Sequence, residues 1–100
     1  MEYSVYYTKP DGFELQVEAS GCYFWCNDRL LLLRRHHDKP QGGTWGVPGG
    51  KLEPKETPKE AVIREIQEEV GVDISHDVSY ITTLYVALPH VSFAFHMYYK

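Results

Sequence analysis

Two hydrophobic periods divide the chain. From Phe13 to Glu18, apolar Phe13, Leu15 and Val17 alternate with Glu14, Gln16 and Glu18, the period of a half-buried strand. Tyr3 to Thr8 is rich in β-formers, and Lys9-Pro10-Asp11-Gly12 between the two runs has the composition of a turn. A first hairpin is the expectation. Gly21 to Cys26 reads as another strand, Asn27-Asp28 as a turn, and Leu30 to Leu33 as an apolar strand buried on both faces. Arg34 to Thr44 is a polar loop with Pro, Gly and basic residues, either a surface connection or a phosphate-facing segment. Trp45 after it reads as a core anchor, with a stacking platform as the alternative.

The period changes at Thr57, a good N-cap followed by Pro58 at the first helical position. Glu60 completes a capping box, and Gly71 supplies a left-handed stop. At about 100° per residue, Val62, Ile63, Ile66 and Val70 fall on one arc, so the pattern predicts an amphipathic helix between these caps. Asp73 to Ser79 is a polar connection, Tyr80 to Leu88 a strand, Pro89-His90 a break, and Val91 to Tyr99 a last strand. Several strands around one long helix predict a single α+β domain with a mixed sheet over residues 1–100.

The packing arc has a charged neighbour. Glu65, Glu68 and Glu69 fall within about 100° of each other around the helix. Like charges that close repel, and Arg64 can pair with Glu68 at i,i+4 without neutralising all three. One reading is a solvated acidic face. The other is a site for a hard divalent cation, because Mg²⁺ takes oxygen ligands and bridges carboxylates to phosphates.

Composition narrows the partners. The net charge of −4 over 100 residues argues against a nucleic-acid polymer, which needs a basic footprint. It leaves open a phosphorylated small molecule whose charge is met locally by metal. No apolar run has the length of a membrane span, and Met1 to Gly12 lacks the layout of a signal peptide. The expectation is a cytoplasmic protein with no membrane partner, in which Cys22 and Cys26 are free thiols. A zinc site from Cys22, Cys26, His36 and His37 is disfavoured, because strand residues four apart lie about 13 Å apart.

Gly50, five residues, Glu56, seven residues, then Arg64-Glu65-Ile66-x-Glu68-Glu69-x-Gly71-Val72 resembles a complete Nudix box over residues 50–72. The preceding WGVPGG, Trp45 to Gly50, also resembles the family's approach to that box. Within the Nudix hydrolases, the chain looks most like the MutT-type nucleoside triphosphate pyrophosphohydrolases. It departs at Lys55, where a glycine commonly precedes the first box glutamate.

The resemblance implies an α/β/α sandwich with a mixed β-sheet. It implies metal-dependent hydrolysis of a nucleoside diphosphate linked to another group, with Mg²⁺ or Mn²⁺ as cofactor. A nucleoside triphosphate, oxidised purines included, would give monophosphate and pyrophosphate. The alternatives are a nucleotide-binding module without catalysis and a scaffold domain. By the same resemblance the Gly49 carbonyl, Glu65, Glu68 and Glu69 are metal ligands, and Glu65 is the general base unless a later loop supplies it. Arg64 orients the carboxylates, and Glu56 anchors the loop at the positive helix N-terminus. Lys51, Arg34 and Arg35 are candidates for phosphate contact.

The fold so implied continues beyond a strand like Val91–Tyr99 into further strands and a C-terminal helix. Val91, Phe93, Phe95, Met97 and Tyr99 alternate with Ser92, Ala94, His96 and Tyr98, so both faces of this strand are expected to be partly buried. The expectation is a C-terminally incomplete domain, or a homodimer that covers the second face with another copy.

Overall fold

The computed structural model describes residues 4–34, 38, 43 and 45–100, without the side chain of Cys26. In chain order the strands are β1 (Ser4–Tyr6), β2 (Val17–Tyr23), β3 (Trp25–Cys26), β4 (Arg29–Leu30), β5 (Leu33–Arg34), β6 (Trp45–Gly46) and β7 (Gly49–Lys51). The helix α1 (Pro58–Val70) follows, then β8 (Ser79–Ala87) and β9 (Ser92–Tyr99). The main sheet has the order β1-β8-β9-β2-β7. β2 and β9 run parallel and the other pairs antiparallel, which makes the sheet mixed, as expected. β3–β4 and β5–β6 are separate two-stranded ribbons.

The helix ends follow the sequence. Thr57 Oγ1 accepts the Glu60 N–H at 3.1 Å, and the Glu60 carboxylate accepts the Thr57 N–H at 2.8 Å. Gly71 takes φ 79°, and its N–H reaches the Ile66 and Gln67 carbonyls. Ala61, Val62 and Ile66 are buried, and Ile63 and Val70 pack partly buried against the core of Cys22, Val62, Ile66, Ile74 and Tyr98. Truncating Ile66 to Ala would remove about 2–5 kcal/mol.

Three expectations are corrected. The first hairpin does not form: β1 pairs with β8, and β2 lies between β9 and β7. Residues 7–16 are a connection, turned by the Phe13 N–H to Pro10 carbonyl bond of 3.1 Å. Phe13 stacks edge-on against Tyr85 at 5.7 Å, so its apolar character serves a loop contact, not a strand face. Leu30 to Leu33 is not one buried strand, because Leu31 and Leu32 lie exposed between two ribbons. Asn27 and Asp28, both at positive φ, turn β3 into β4 and carry this run out of the main sheet. Trp45 is 63% exposed and is not a core anchor.

A polar chain crosses the helix-side face of the sheet. The Thr83 hydroxyl bridges Tyr80 Oη at 2.7 Å and His96 Nδ1 at 2.8 Å. Glu18 only accepts, so His96 donates to it from Nε2 at 3.0 Å. Both faces of β9 are partly buried, as expected: Ala94 and Tyr98 are buried and Phe93, Phe95 and Met97 are half-buried. Among the described residues, no helix is long and apolar enough to cross a membrane.

Candidate active site

β7 is an edge strand, and its register decides which backbone groups remain free. Cys22 N–H bonds to the Pro48 carbonyl, and Leu52 N–H to the Glu18 carbonyl. Antiparallel pairs alternate between hydrogen-bonded and non-hydrogen-bonded. Ser20 and Gly50 therefore share ladder bonds, whereas Gly21↔Gly49 and Ala19↔Lys51 do not. The N–H and C=O of Gly49 and Lys51 are left to the open edge. Two of them meet α1: Gly49 N–H donates to Glu69 Oε1 at 3.3 Å, and the Lys51 carbonyl accepts from Arg64 Nη2 at 3.1 Å.

The glycines make this approach possible. A Cβ on Gly50 would stand 2.5 Å from Oε2 and Cδ of Glu65. A Cβ on Gly49 would strike the backbone of Ser20 and Gly21. The Glu65 carboxyl lies against β7 at Gly50, and the backbone of β2 closes in on Gly49, where only hydrogen fits.

Arg64 organises the acids. Its Nε and Nη2 hold both carboxylate oxygens of Glu56, at 2.7 and 2.9 Å. Its Nη1 donates to Glu65 Oε1 at 2.7 Å and lies 3.3 Å from Glu68 Oε2. Arg64 Nε also lies 3.1 Å from Glu53 Oε1. The Arg64 fork and then the Glu53 N–H hold the Glu56 carboxyl down at about 2, and the Glu56 and Glu65 carboxylates in turn raise Arg64. Glu56 thus anchors the loop through Arg64 and the Glu53 N–H, with a bond of 2.8 Å to the latter. This corrects the expectation that the helix N-terminus holds it.

Glu69 differs from its neighbours. Although the residue is exposed overall, its carboxyl end turns toward Glu65 and the Gly49 N–H. Burial first, then the contact with the Glu65 carboxyl, pushes it up to about 7 from 4.5, against the pull of the Gly49 N–H. Glu65 and Glu69 are thus a touching like-charge pair, and that contact is one of the causes that raise Glu69.

The structure brings Gly49, Glu65, Glu69 and Arg64 together. Glu68 stands at the margin, 57% exposed and leaning on Arg64. Among the described residues, no three acidic, histidine or cysteine side chains form a ready-made metal cage. Gly50 faces the helix, so by strand alternation Lys51 leaves on the opposite face. Arg34 donates to the Gly43 carbonyl at 3.3 Å, with no described contact to the acids. Arg35, His36 and His37 lie outside the described residues. Cys22 is buried and its thiol is pushed up to about 11, mainly by burial, as an inert core residue. Lys55 sits at φ 67°, the left-handed conformation that favours glycine. The tie from Gly49 N–H to Glu69 was not anticipated; its signal was the Gly49-Gly50 pair.

A family model described as NUDIX domain matches residues 15–98. An 8-oxo-dGTP diphosphatase of Proteus vulgaris is 40% identical over 57 residues, 57% of this chain and 51% of that protein. A CTP pyrophosphohydrolase of Escherichia coli (strain K12) is 40% identical over 57 residues, 57% of this chain and 42% of that protein. The chain thus spans about half the length of these curated relatives or less. The crystal structure of a MutT NUDIX hydrolase from Burkholderia pseudomallei superposes with a TM-score of 0.75 at 27% identity, covering 87% of this chain and 67% of that one.

Proposed function

This chain belongs to the Nudix family, and from that premise we propose that it serves metal-dependent hydrolysis of a nucleoside diphosphate linked to another group. The first substrate class to test is a nucleoside triphosphate, oxidised purines included, cleaved to monophosphate and pyrophosphate. The observation that carries this reading is the touching Glu65–Glu69 pair beside Gly49, with Glu69 raised to about 7. Two carboxylates this close repel when both are ionised, and a hard divalent cation that takes their oxygens relieves that repulsion. The Gly49 carbonyl, outside the ladder on the same edge, adds a neutral oxygen. Glu68 is exposed enough to swing from Arg64 toward the pair.

Glu65, Glu68, Glu69 and the Gly49 carbonyl would hold Mg²⁺ or Mn²⁺. When bound, such an ion neutralises phosphate oxygens and acidifies water. Glu65 takes the proton of the attacking water, and the Arg64 bond to its Oε1 keeps the other oxygen directed. Arg64 positions the carboxylates and does not reach the substrate. Lys51, Arg34 and Arg35 are candidates for contact with the outer phosphates.

Turnover of a panel of nucleoside triphosphates, dinucleoside polyphosphates, ADP-ribose and nucleotide sugars with Mg²⁺ or Mn²⁺ tests the proposal. Oxygen-18 from water is expected in the monophosphate or the pyrophosphate. Turnover that persists in excess EDTA would overturn the metal role, and diphosphate plus inorganic phosphate would overturn the bond assignment. Binding without turnover would instead mark a nucleotide-binding module.

Gly50→Ala gives a second check. The new methyl would push the Glu65 carboxylate, the mobile end of a side chain, so the fold adjusts at small cost. The expected outcome is a loss of about 10²-fold in kcat, the scale of a 1 Å misplacement. An unchanged kcat would contradict the role of Glu65.

A further inference from the structure

Ser20 is fully buried in the middle of β2. Its neighbours across the ladder are Gly50 on one side and His96 on the other. Its hydroxyl donates to the Pro58 carbonyl at 2.9 Å, at the first residue of α1. That carbonyl is in the helix's first turn and is already aimed at the amide four residues on. The helix therefore does not need this second donor. The one bond of a buried hydroxyl adds only modestly to stability, so an alanine here would still fold with a small loss. What the bond adds is position.

The geometry around α1 gives that position a consequence. Glu65 stands seven positions after Pro58, close to two turns, so both lie on nearly one line of the helix and about 10 Å apart along it. Glu69 lies one turn further, about 40° round. These three residues meet Ser20, Gly50 and Gly49 respectively. Ser20 and Gly50 are themselves joined by the ladder. A closed path therefore runs from Ser20 to Pro58, along two helical turns to Glu65, and back through Gly50 to Ser20. With Gly50 in contact with the Glu65 carboxyl, a shift of the helix start by a few tenths of an ångström must move that carboxyl.

We infer that Ser20 is a positioning residue for the acid pair: through the Pro58 carbonyl it sets the height of α1 above Gly50 and hence the placement of Glu65 and Glu69. The inference rests on the hydrolase reading for its catalytic consequence and on the fold alone for its geometric one.

The test uses Ser20→Ala and Ser20→Cys, of similar volume, the thiol being a weak donor. In the metal-free protein, the amide resonances of Glu65 and Glu69, about two and three turns along α1 from Pro58, are expected to shift in Ser20→Ala and to move only part of the way in Ser20→Cys. Mn²⁺ affinity, read from the free-ion electron spin resonance signal, is expected to fall about tenfold in Ser20→Ala, the lower end for a group that orients ligands. With dGTP and Mn²⁺, kcat is expected to fall in the order Ser, Cys, Ala with KM within about twofold. A purely structural serine would lower Tm and leave these three readouts alone, and that result overturns the inference. If the wild-type chain neither binds Mn²⁺ nor turns over any nucleotide, the hydrolase reading falls. The amide shifts then decide the Ser20 linkage by themselves.

Discussion

Glu69→Gln is expected to lower kcat by about 10²–10³-fold, the scale on which one preorganised electrostatic group acts, without destabilising the fold. The amide keeps the size of the side chain and an oxygen for the Gly49 N–H, but it has no charge to offer a cation. It also removes the repulsion within the Glu65–Glu69 pair. The pH dependence separates these effects. The Glu69 carboxyl in the folded state lies at about 7 against an ordinary 4.5. A raised carboxyl gives its full contribution to stability below about 4.5 and loses it as pH rises through about 7. The metal-free wild type is therefore expected to lose Tm across that window, and Mn²⁺ to restore it above pH 7, with proton release on binding seen only at lower pH where Glu69 is still protonated. Glu69→Gln should flatten this part of the curve and abolish the Mn²⁺ response. Thermal unfolding from pH 4.5 to 8, with and without Mn²⁺, checks this. A wild-type-like kcat in Glu69→Gln would remove Glu69 from the site.

What the sequence made legible was whatever depends on local geometry. Thr57, Pro58, Glu60 and Gly71 act within a turn of themselves, so the helix ends could be read from four residues. The period of 3.6 placed Val62 and Ile66 in the core and the acids beside them. Sheet partners are long-range, and alternation does not name them. Val17 alternates with Glu18 whether β2 pairs with a near neighbour or, as found, in parallel with Ser92–Tyr99. Ile74 sits in a segment that reads as polar, yet it is fully buried because the chain turns under the helix there. In the site, the carboxylates were legible from spacing. The Arg64–Glu56 fork was not, because Arg64 has an acid at i+4 that satisfies the local rule. Only the fold brings Glu56, eight residues earlier, to the better bidentate geometry.

That fork makes Arg64 the other position of large effect. Arg64 binds Glu56 with two bonds, Glu65 with one, and the Lys51 carbonyl with one. It therefore fixes the loop before the helix, the strand edge and one member of the acid pair together. Arg64→Ala leaves Glu53, Glu56, Glu65 and Glu68 without their shared cation. The expected outcome is a loss of about 10²-fold in kcat, as Glu65 loses the bond to Oε1, and a Tm lower by about 5 °C. Arg64→Lys should recover less than half of either loss on a logarithmic scale, because an ammonium cannot reproduce the fork on Glu56. Acid unfolding gives an independent reading. The Glu56 carboxyl is held at about 2 against an ordinary 4.5. A lowered carboxyl contributes stability above about 4.5 and loses it as pH falls through about 2. In Arg64→Ala that share of the acid sensitivity should shrink to what the Glu53 N–H alone supplies, and Glu56→Gln combined with Arg64→Ala should cost less than the two single losses added. Additive losses in this cycle, or a full rescue by lysine, would show that Arg64 acts as a diffuse charge and not as the clamp on the site.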